Sequence, residues 1–132
     1  MAWTFNPFTG NLDYFTAAGG TNQLRVQTLP DATSVTFGTA SYDMGVQANT
    51  QAAAGTLTIN APTGTPVDGQ RYIFRVSSTN SQILAWNAVF QFSTDIPQPS
   101  ATSGGGKWDY FSFMYNSTAG KWQLVSNIMG FA

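Results

Sequence analysis

The 132-residue chain contains no cysteine, no histidine and no glutamate, and only 8% of its residues are charged. Without cysteine it can form neither disulfide bonds nor thiolate metal sites, and without histidine it lacks the commonest catalytic base and zinc ligand. An ordinary soluble domain has about 25% charged residues. We therefore expect a surface covered by uncharged polar side chains or by another subunit.

The few charged residues are scattered, which disfavours several functions. Five Lys and Arg residues and six aspartates give a net charge of -1. The basic residues form no cluster that could bind phosphates, so we expect no nucleic-acid partner. Nothing in the sequence is typical of a metal site, and we expect neither a metal nor a cofactor. A two-carboxylate glycosidase assembled from Asp95 and Asp109 is the enzymatic alternative, but aspartates near turns usually bind the backbone, which favours a protein without catalytic residues.

The apolar content fits one folded domain. Hydrophobic residues make up 42% of the chain and aromatic residues 14%, which is ample for a packed core and excludes an intrinsically disordered chain. No apolar stretch approaches the length that spans a bilayer, so we expect no membrane insertion. Residues 1–8 lack the basic region and apolar run of a secretory signal, so we expect no export by such a signal.

Residues 1–20 differ from the rest of the chain. They combine aromatic residues with the turn signal Asn6-Pro7 and end at Gly19-Gly20, but they show neither strand alternation nor a helical stripe. A segment this short cannot bury its aromatic residues against itself, so it docks either on its own domain or on a partner protein. We predict an extended anchor arm over 1–20 and a folded domain over 21–132. The predicted anchor residues are Trp3, Phe5, Asn6, Pro7, Phe8, Leu12, Tyr14 and Phe15.

From residue 23 onward, apolar residues alternate with a period of two, which is typical of strands. Strands are predicted over 23–29, 34–37, 55–60, 69–77, 83–92, 107–115 and 121–129. The first of them has Leu24, Val26 and Thr28 on one face. The small polar residues of 39–54 favour a loop, with room for one helical turn at 48–54. The last two strands predict a hairpin, and the whole pattern predicts an all-β fold, an antiparallel, jelly-roll-like β-sandwich.

The strand over 107–115 has two apolar faces. One face carries Trp108, Tyr110 and Met114, and the other carries Phe111, Phe113 and Tyr115. Only one face of a sandwich sheet meets the core, so the other predicts a subunit interface in a homo-oligomer. We predict that Phe111, Phe113 and Tyr115 form that interface.

Carbohydrate binding is the one ligand chemistry that the composition permits. Flat rings such as Trp86, Trp108 and Trp122 stack on sugars, and amide side chains hydrogen-bond to hydroxyl groups. Aromatic residues in strands more commonly fill the core, so both interpretations stay open at these three positions.

Two stretches resemble proteins of tailed-bacteriophage particles. The segment Trp3-Thr-Phe-Asn-Pro-Phe-Thr-Gly-Asn-Leu-Asp-Tyr14 resembles the NPFTG-x-LDY segment at the start of many virion proteins. Residues from about 55 to 132 resemble a β-rich module of phage fibre, spike and head-decoration proteins. The matching elements of this module are Leu57-Thr-Ile-Asn60, Asp68-Gly69-Gln70, Trp86, Lys107-Trp-Asp109, Phe113 with Tyr115, Gly120-Lys121-Trp122 and Gly130-Phe131.

The resemblance implies a non-enzymatic structural protein of a virion, a homotrimer assembled in the host cytoplasm. It also implies that the N-terminal segment attaches the protein to other virion proteins of the capsid or tail. The chain is short for a fibre and lacks the repeats of a shaft, which favours a knob that decorates the capsid surface. A tail fibre or tail-tip module that binds a host surface glycan is the alternative, and a glycan depolymerase is a more distant one.

Overall fold

The computed structural model describes residues 2–6, 11–15 and 23–132. These ranges contain strands and no helix, which confirms the all-β class. The strands are β1 Ala2–Asn6, β2 Asn11–Phe15, β3 Val26–Thr28, β4 Ser34–Val35, β5 Met44–Asn49, β6 Thr56–Ile59, β7 Arg71–Ser78, β8 Ile83–Trp86, β9 Phe90–Gln91, β10 Trp108–Asn116 and β11 Lys121–Phe131. Within the described ranges, no helix could serve as a membrane span.

Successive strands from β3 to β8 alternate between two sheets. The order is β3-β5-β7-β10-β11-β9 in the six-stranded sheet and β4-β6-β8 in the three-stranded sheet. Pairing from β3 to β8 is parallel and joins each strand to the one two places further along, so the chain coils through both sheets. Only then do β7, β10 and β11 pair antiparallel. The prediction of antiparallel sheets is therefore wrong for most of the fold, because a period of two does not reveal the direction of the neighbouring strand.

One hydrophobic core joins residues of both sheets. Leu57 and Ile59 of β6 are fully buried, and Tyr72, Phe74 and Val76 of β7 are at most 1% exposed, as their alternation predicts. The ring of Phe37 stacks on that of Tyr72 with centroids 4.6 Å apart. Burying one such side chain is worth roughly 1.5–3 kcal/mol. This cluster fixes which face of the six-stranded sheet remains outside.

Strand β5 lies where the polar composition of residues 39–54 predicts a loop. Its buried amide Gln47 donates hydrogen bonds to the backbone oxygens of Pro30 at 2.9 Å and Ala32 at 3.0 Å. At Gly45, a Cβ atom would lie only 2.5 Å from the hydroxyl oxygen of Tyr72. The loop prediction is wrong because polar residues here satisfy the backbone at a corner of the coil, and glycine permits close packing.

Strand β3 is shorter than the predicted strand over 23–29. Leu24, Val26 and Thr28, which are predicted to share one face, are all exposed, while Leu29 is buried. The predicted single strand over 83–92 is two strands in different sheets, β8 and β9. A turn at Asn87 separates them, in which the Phe90 amide donates to the Asn87 backbone oxygen at 3.0 Å.

Strands β1 and β2 pair antiparallel with each other as a separate two-stranded sheet. The register places Trp3 opposite Tyr14 and Phe5 opposite Leu12. This pairing corrects the prediction that residues 1–20 are an extended arm without strand structure. The mixture of aromatic, proline and asparagine residues obscures the period of two.

Candidate interaction surface

The inner face of β10 belongs to the protein's own core. Phe111 and Phe113 are 0% exposed, and the Trp86 ring lies 5.5 Å from each of their ring centroids. Tyr115 is half-buried, with its ring 5.2 Å from that of Trp122. Phe111 and Phe113 are therefore closed to a second subunit, which corrects the predicted subunit interface for these two residues.

The opposite face of the six-stranded sheet is apolar and open. A row of directly opposed residues runs across it, consisting of Val46, Arg75, Tyr110 and Ile128. Beside this row lies a shallow groove of about 520 Å³, lined by Ile73, Trp108, Tyr110, Ser112, Ser126, Ile128, Phe131 and Ala132. Ile128 is 53% and Phe131 49% exposed. We call this face, from β5 to β11, the outer face.

Arg75 is the charged residue on this row of the outer face. Its guanidinium carbon lies 5.0 Å from the ring centroid of Trp108 and 6.0 Å from that of Tyr110. Its Nε is buried and has no hydrogen-bond partner among the described residues. A guanidinium over an aromatic ring is held by cation–π attraction. The arrangement keeps both rings at the surface and leaves a partly desolvated positive charge beside them.

A second groove, of about 550 Å³, lies where the chain enters β3. It contains a two-point ion pair, in which Arg25 Nη2 lies 2.9 Å from Asp43 Oδ1 and Arg25 Nε donates to Oδ2 at 3.1 Å. The hydrogen bond from Arg25 holds the pKa of the Asp43 carboxyl below its usual value. The same carboxylate accepts the Arg25 amide at 2.9 Å, so its role is to fix the start of β3.

The two aspartates of the glycosidase alternative differ sharply in environment. Asp109 is 0% exposed, and its oxygens accept hydrogen bonds from the Ser103 amide, the Ser103 hydroxyl and the Gly130 amide at 2.6–2.9 Å. Asp95 is exposed on a loop. A fully buried carboxylate that accepts three hydrogen bonds holds chain segments together and is not accessible to a substrate. Within the described ranges, acidic residues also form no group of three that could hold a metal ion.

The three tryptophans considered for sugar binding are not equivalent. Trp122 is 3% exposed and lies in the core. The indole of Trp86 packs on core phenylalanines and donates to the backbone oxygen of Pro99 at 2.9 Å. Trp108, on the outer face, is half-buried and lines the groove of about 520 Å³, whereas Trp122 borders only a smaller pocket of about 180 Å³.

The predicted anchor residues fall partly within the two-stranded sheet. Trp3, Phe5 and Asn6 lie on β1, and Leu12, Tyr14 and Phe15 lie on β2. Pro7 and Phe8 lie outside the described residues. The register brings four apolar anchor positions together as two opposed pairs. The predicted site does not include the exposed apolar residues at the end of β11, which are Ile128, Met129 and Phe131. The apolar residues of the predicted hairpin strand, which reach this end, are the signal that could have found them.

Comparison with known proteins gives a likeness of fold alone. No family model matches the sequence, and no curated protein matches it. One chain in a solved structure of a chaperone–substrate complex has a similar fold, with a TM-score of 0.50 and 23% sequence identity. The match covers 86% of this chain and 19% of that chain, so this fold corresponds to about a fifth of the longer polypeptide.

Proposed function

We propose that the protein is a non-enzymatic structural component of a tailed-bacteriophage particle. It forms a homotrimer that decorates the capsid surface and attaches through residues 1–20. The resemblance of residues 3–14 to the NPFTG-x-LDY segment supports the assignment to a particle. In this proposal the two sheets pack as the layers of a β-sandwich, and the outer face of the larger sheet meets neighbouring subunits.

The open outer face is the observation that carries the proposed self-association. It presents Trp108, Tyr110, Ile128 and Phe131 beside the guanidinium of Arg75, in a chain with only 8% charged residues. Apolar patches larger than a few hundred Å² are uncommon on monomers and mark binding surfaces. Three copies that bury this face around an axis would remove its exposed rings from water. Closed symmetric assemblies of this kind are the usual form of homo-oligomers.

The N-terminal strands suit attachment to a partner. A lone two-stranded ribbon is at best marginally stable in water, so β1 and β2 gain most of their stability where they dock. The opposed pairs Trp3 with Tyr14 and Phe5 with Leu12 supply large apolar anchors. A trimer carries three such ribbons, and linked copies bind far more tightly than one copy alone.

A tail-fibre or tail-tip module that binds a host glycan is the second candidate. Trp108, Tyr110 and the hydroxyls of Ser112 and Ser126 line one groove, which offers both stacking faces and hydrogen-bonding groups. The likeness to about a fifth of a longer chain also suits a module repeated in fibre proteins. Glycan-dependent adsorption and a position on the tail favour this candidate. A position on the capsid favours decoration.

The outer-face hypothesis is tested by Ile128→Asp, which places a charge on a 53% exposed residue. We expect the wild type to scatter light as a trimer at micromolar concentration and the variant as a monomer with an unchanged circular dichroism spectrum. Ile83→Asp, at a 52% exposed position on β8 of the three-stranded sheet, is the matched control and should remain trimeric. A monomeric wild type, or a trimeric Ile128→Asp variant, contradicts the proposed interface.

A further inference from the structure

The last half of β11 is an open strand edge. On the side away from β10, β9 pairs only with Trp122 and Gln123. Beyond them, the structure gives Val125–Phe131 no partner on that side among the described residues. Val125 is 49%, Ile128 53%, Met129 38% and Phe131 49% exposed, and residues 123–132 contain no charged residue and no proline.

The edges at β8, β4 and β9 are protected. β8 is covered by residues 100–102, since the Leu84 amide donates to the Ser100 oxygen at 2.8 Å and the Thr102 amide to the Gln82 oxygen at 2.9 Å. β4 and β9 are two residues long. Proteins protect exposed edges by covering them, keeping them short or placing charges on them, because an open edge pairs with another chain. The unprotected half of β11 therefore suits a pairing partner in the assembly.

The opposite edge of the same sheet, at β3, is also open and carries exposed apolar residues. β3 pairs with β5 on one side, and no strand of the described ranges lies on its other side. Leu24 and Val26 are half-exposed there, although apolar residues at these positions would ordinarily be buried. Val26 is in register with Met44 and Ile73, so it lies on the outer face, as Ile128 does.

We propose that the occupant of the β11 edge is β3 of a second copy of this chain, so that the six-stranded sheets continue from one subunit to the next. This inference rests on the proposed trimer and specifies how its subunits meet. A three-fold ring requires two different surfaces in each contact, and the two open edges of one sheet supply them. One contact then covers both exposed apolar groups, Leu24 with Val26 and Val125 to Phe131.

The chain contains no cysteine, so engineered disulfides report this contact directly. Val26→Cys protein is mixed with Ile128→Cys protein, reassembled and oxidised, and the products are separated by non-reducing electrophoresis. Neighbouring residues on one face of paired strands lie within the range of about 4.4–6.8 Å that a disulfide needs between Cα atoms. Ser126→Cys, two positions away on the same face, samples the neighbouring register. Ile83→Cys, at an exposed position in the three-stranded sheet, is the control.

We expect a cross-linked dimer when Val26→Cys protein is mixed with Ile128→Cys or Ser126→Cys protein, and none when Ile83→Cys protein replaces either partner. The double variant Val26→Cys/Ile128→Cys should give a covalent ladder that ends at three chains. A disulfide between two Ile128→Cys chains alone would overturn the proposal in favour of a two-fold β11 pairing. A light-scattering trimer without any cross-link would overturn the edge pairing alone, whereas a monomeric wild type would overturn the proposed trimer as well.

Discussion

At the scale of single residues, four aspartates connect separate backbone segments by accepting hydrogen bonds from main-chain amides. Asp31 accepts the Thr50 amide at 2.9 Å, and Asp68 accepts the Ser117 amide at 2.9 Å. Asp43 and Asp109 bind backbone amides in the same way. A coiled chain has corners where strand pairing stops, and a carboxylate satisfies the amides left there. This is the role that the sequence predicts for aspartates near turns.

The hydrogen bonds accepted by these carboxylates make the stability of the folded protein depend on pH. The pKa values of Asp31 and Asp43 are lowered from 3.8 by hydrogen bonds, chiefly from the Thr50 hydroxyl and the Arg25 guanidinium respectively. Because the pKa is lower in the folded state, their stabilisation is complete above the unfolded value and is lost as the pH falls below about 4. We expect the urea midpoint to fall between pH 5 and pH 3, and to fall less in Asp43→Asn. An equal fall in wild type and variant would remove Asp43 from this account.

At the scale of elements, the sequence predicts strands better than it predicts their partners. β6, β7, β10 and β11 follow from alternation, because each has one apolar face on the core. β5 does not, because Gln47 and Asn49 are buried for hydrogen bonds that only the assembled coil supplies. The sequence predicts part of the outer face, because the two apolar faces of β10 indicate that one of them is not needed for the core. Which of the two faces is inside depends on the other sheet, and nothing local encodes it.

The role of β5 is tested by Gln47→Ala. Gln47 is fully buried, and the change removes the side-chain donor of the Pro30 oxygen and one of the two side-chain donors of the Ala32 oxygen. We expect a loss of about 2–4 kcal/mol in the free energy of unfolding, from an unsatisfied acceptor and a cavity. Gln98→Ala, at an exposed position, is the control and should change stability little. A Gln47→Ala protein as stable as the control would show that the amide is dispensable.

At the scale of the whole molecule, the chain divides into a ribbon and a coiled domain with separate sheets. Among residues 23–132, the main core begins at Leu29. The proposed attachment through residues 1–20 requires the aromatic residues before Gly19-Gly20 to contact a partner and not that core. Composition predicts a boundary near residue 20, which stays a prediction, and it does not predict the pairing of β1 with β2.

Deletion of residues 1–18 tests this division. We expect the truncated protein to fold and to form trimers, because the outer face and the β3 and β11 edges remain, but to bind particles that lack the protein at least tenfold more weakly. Imaging of particles incubated with full-length or truncated protein measures this and locates the binding position. Unfolding of the truncated protein would assign the ribbon to the core, and undiminished binding would place the attachment elsewhere.

The coiled path also bears on how fast the chain reaches its final state. Parallel pairing of β3, β5 and β7, and of β4, β6 and β8, brings together residues that are far apart in the sequence. The chain therefore loses the conformational entropy of closing long loops before stabilising contacts form. Such topologies fold in roughly milliseconds to seconds, whereas the β10–β11 hairpin closes in microseconds. The uncharged end of β11 is thus presented long before the other edge is complete. The concentration of newly made chains during that interval decides between ordered assembly and aggregation.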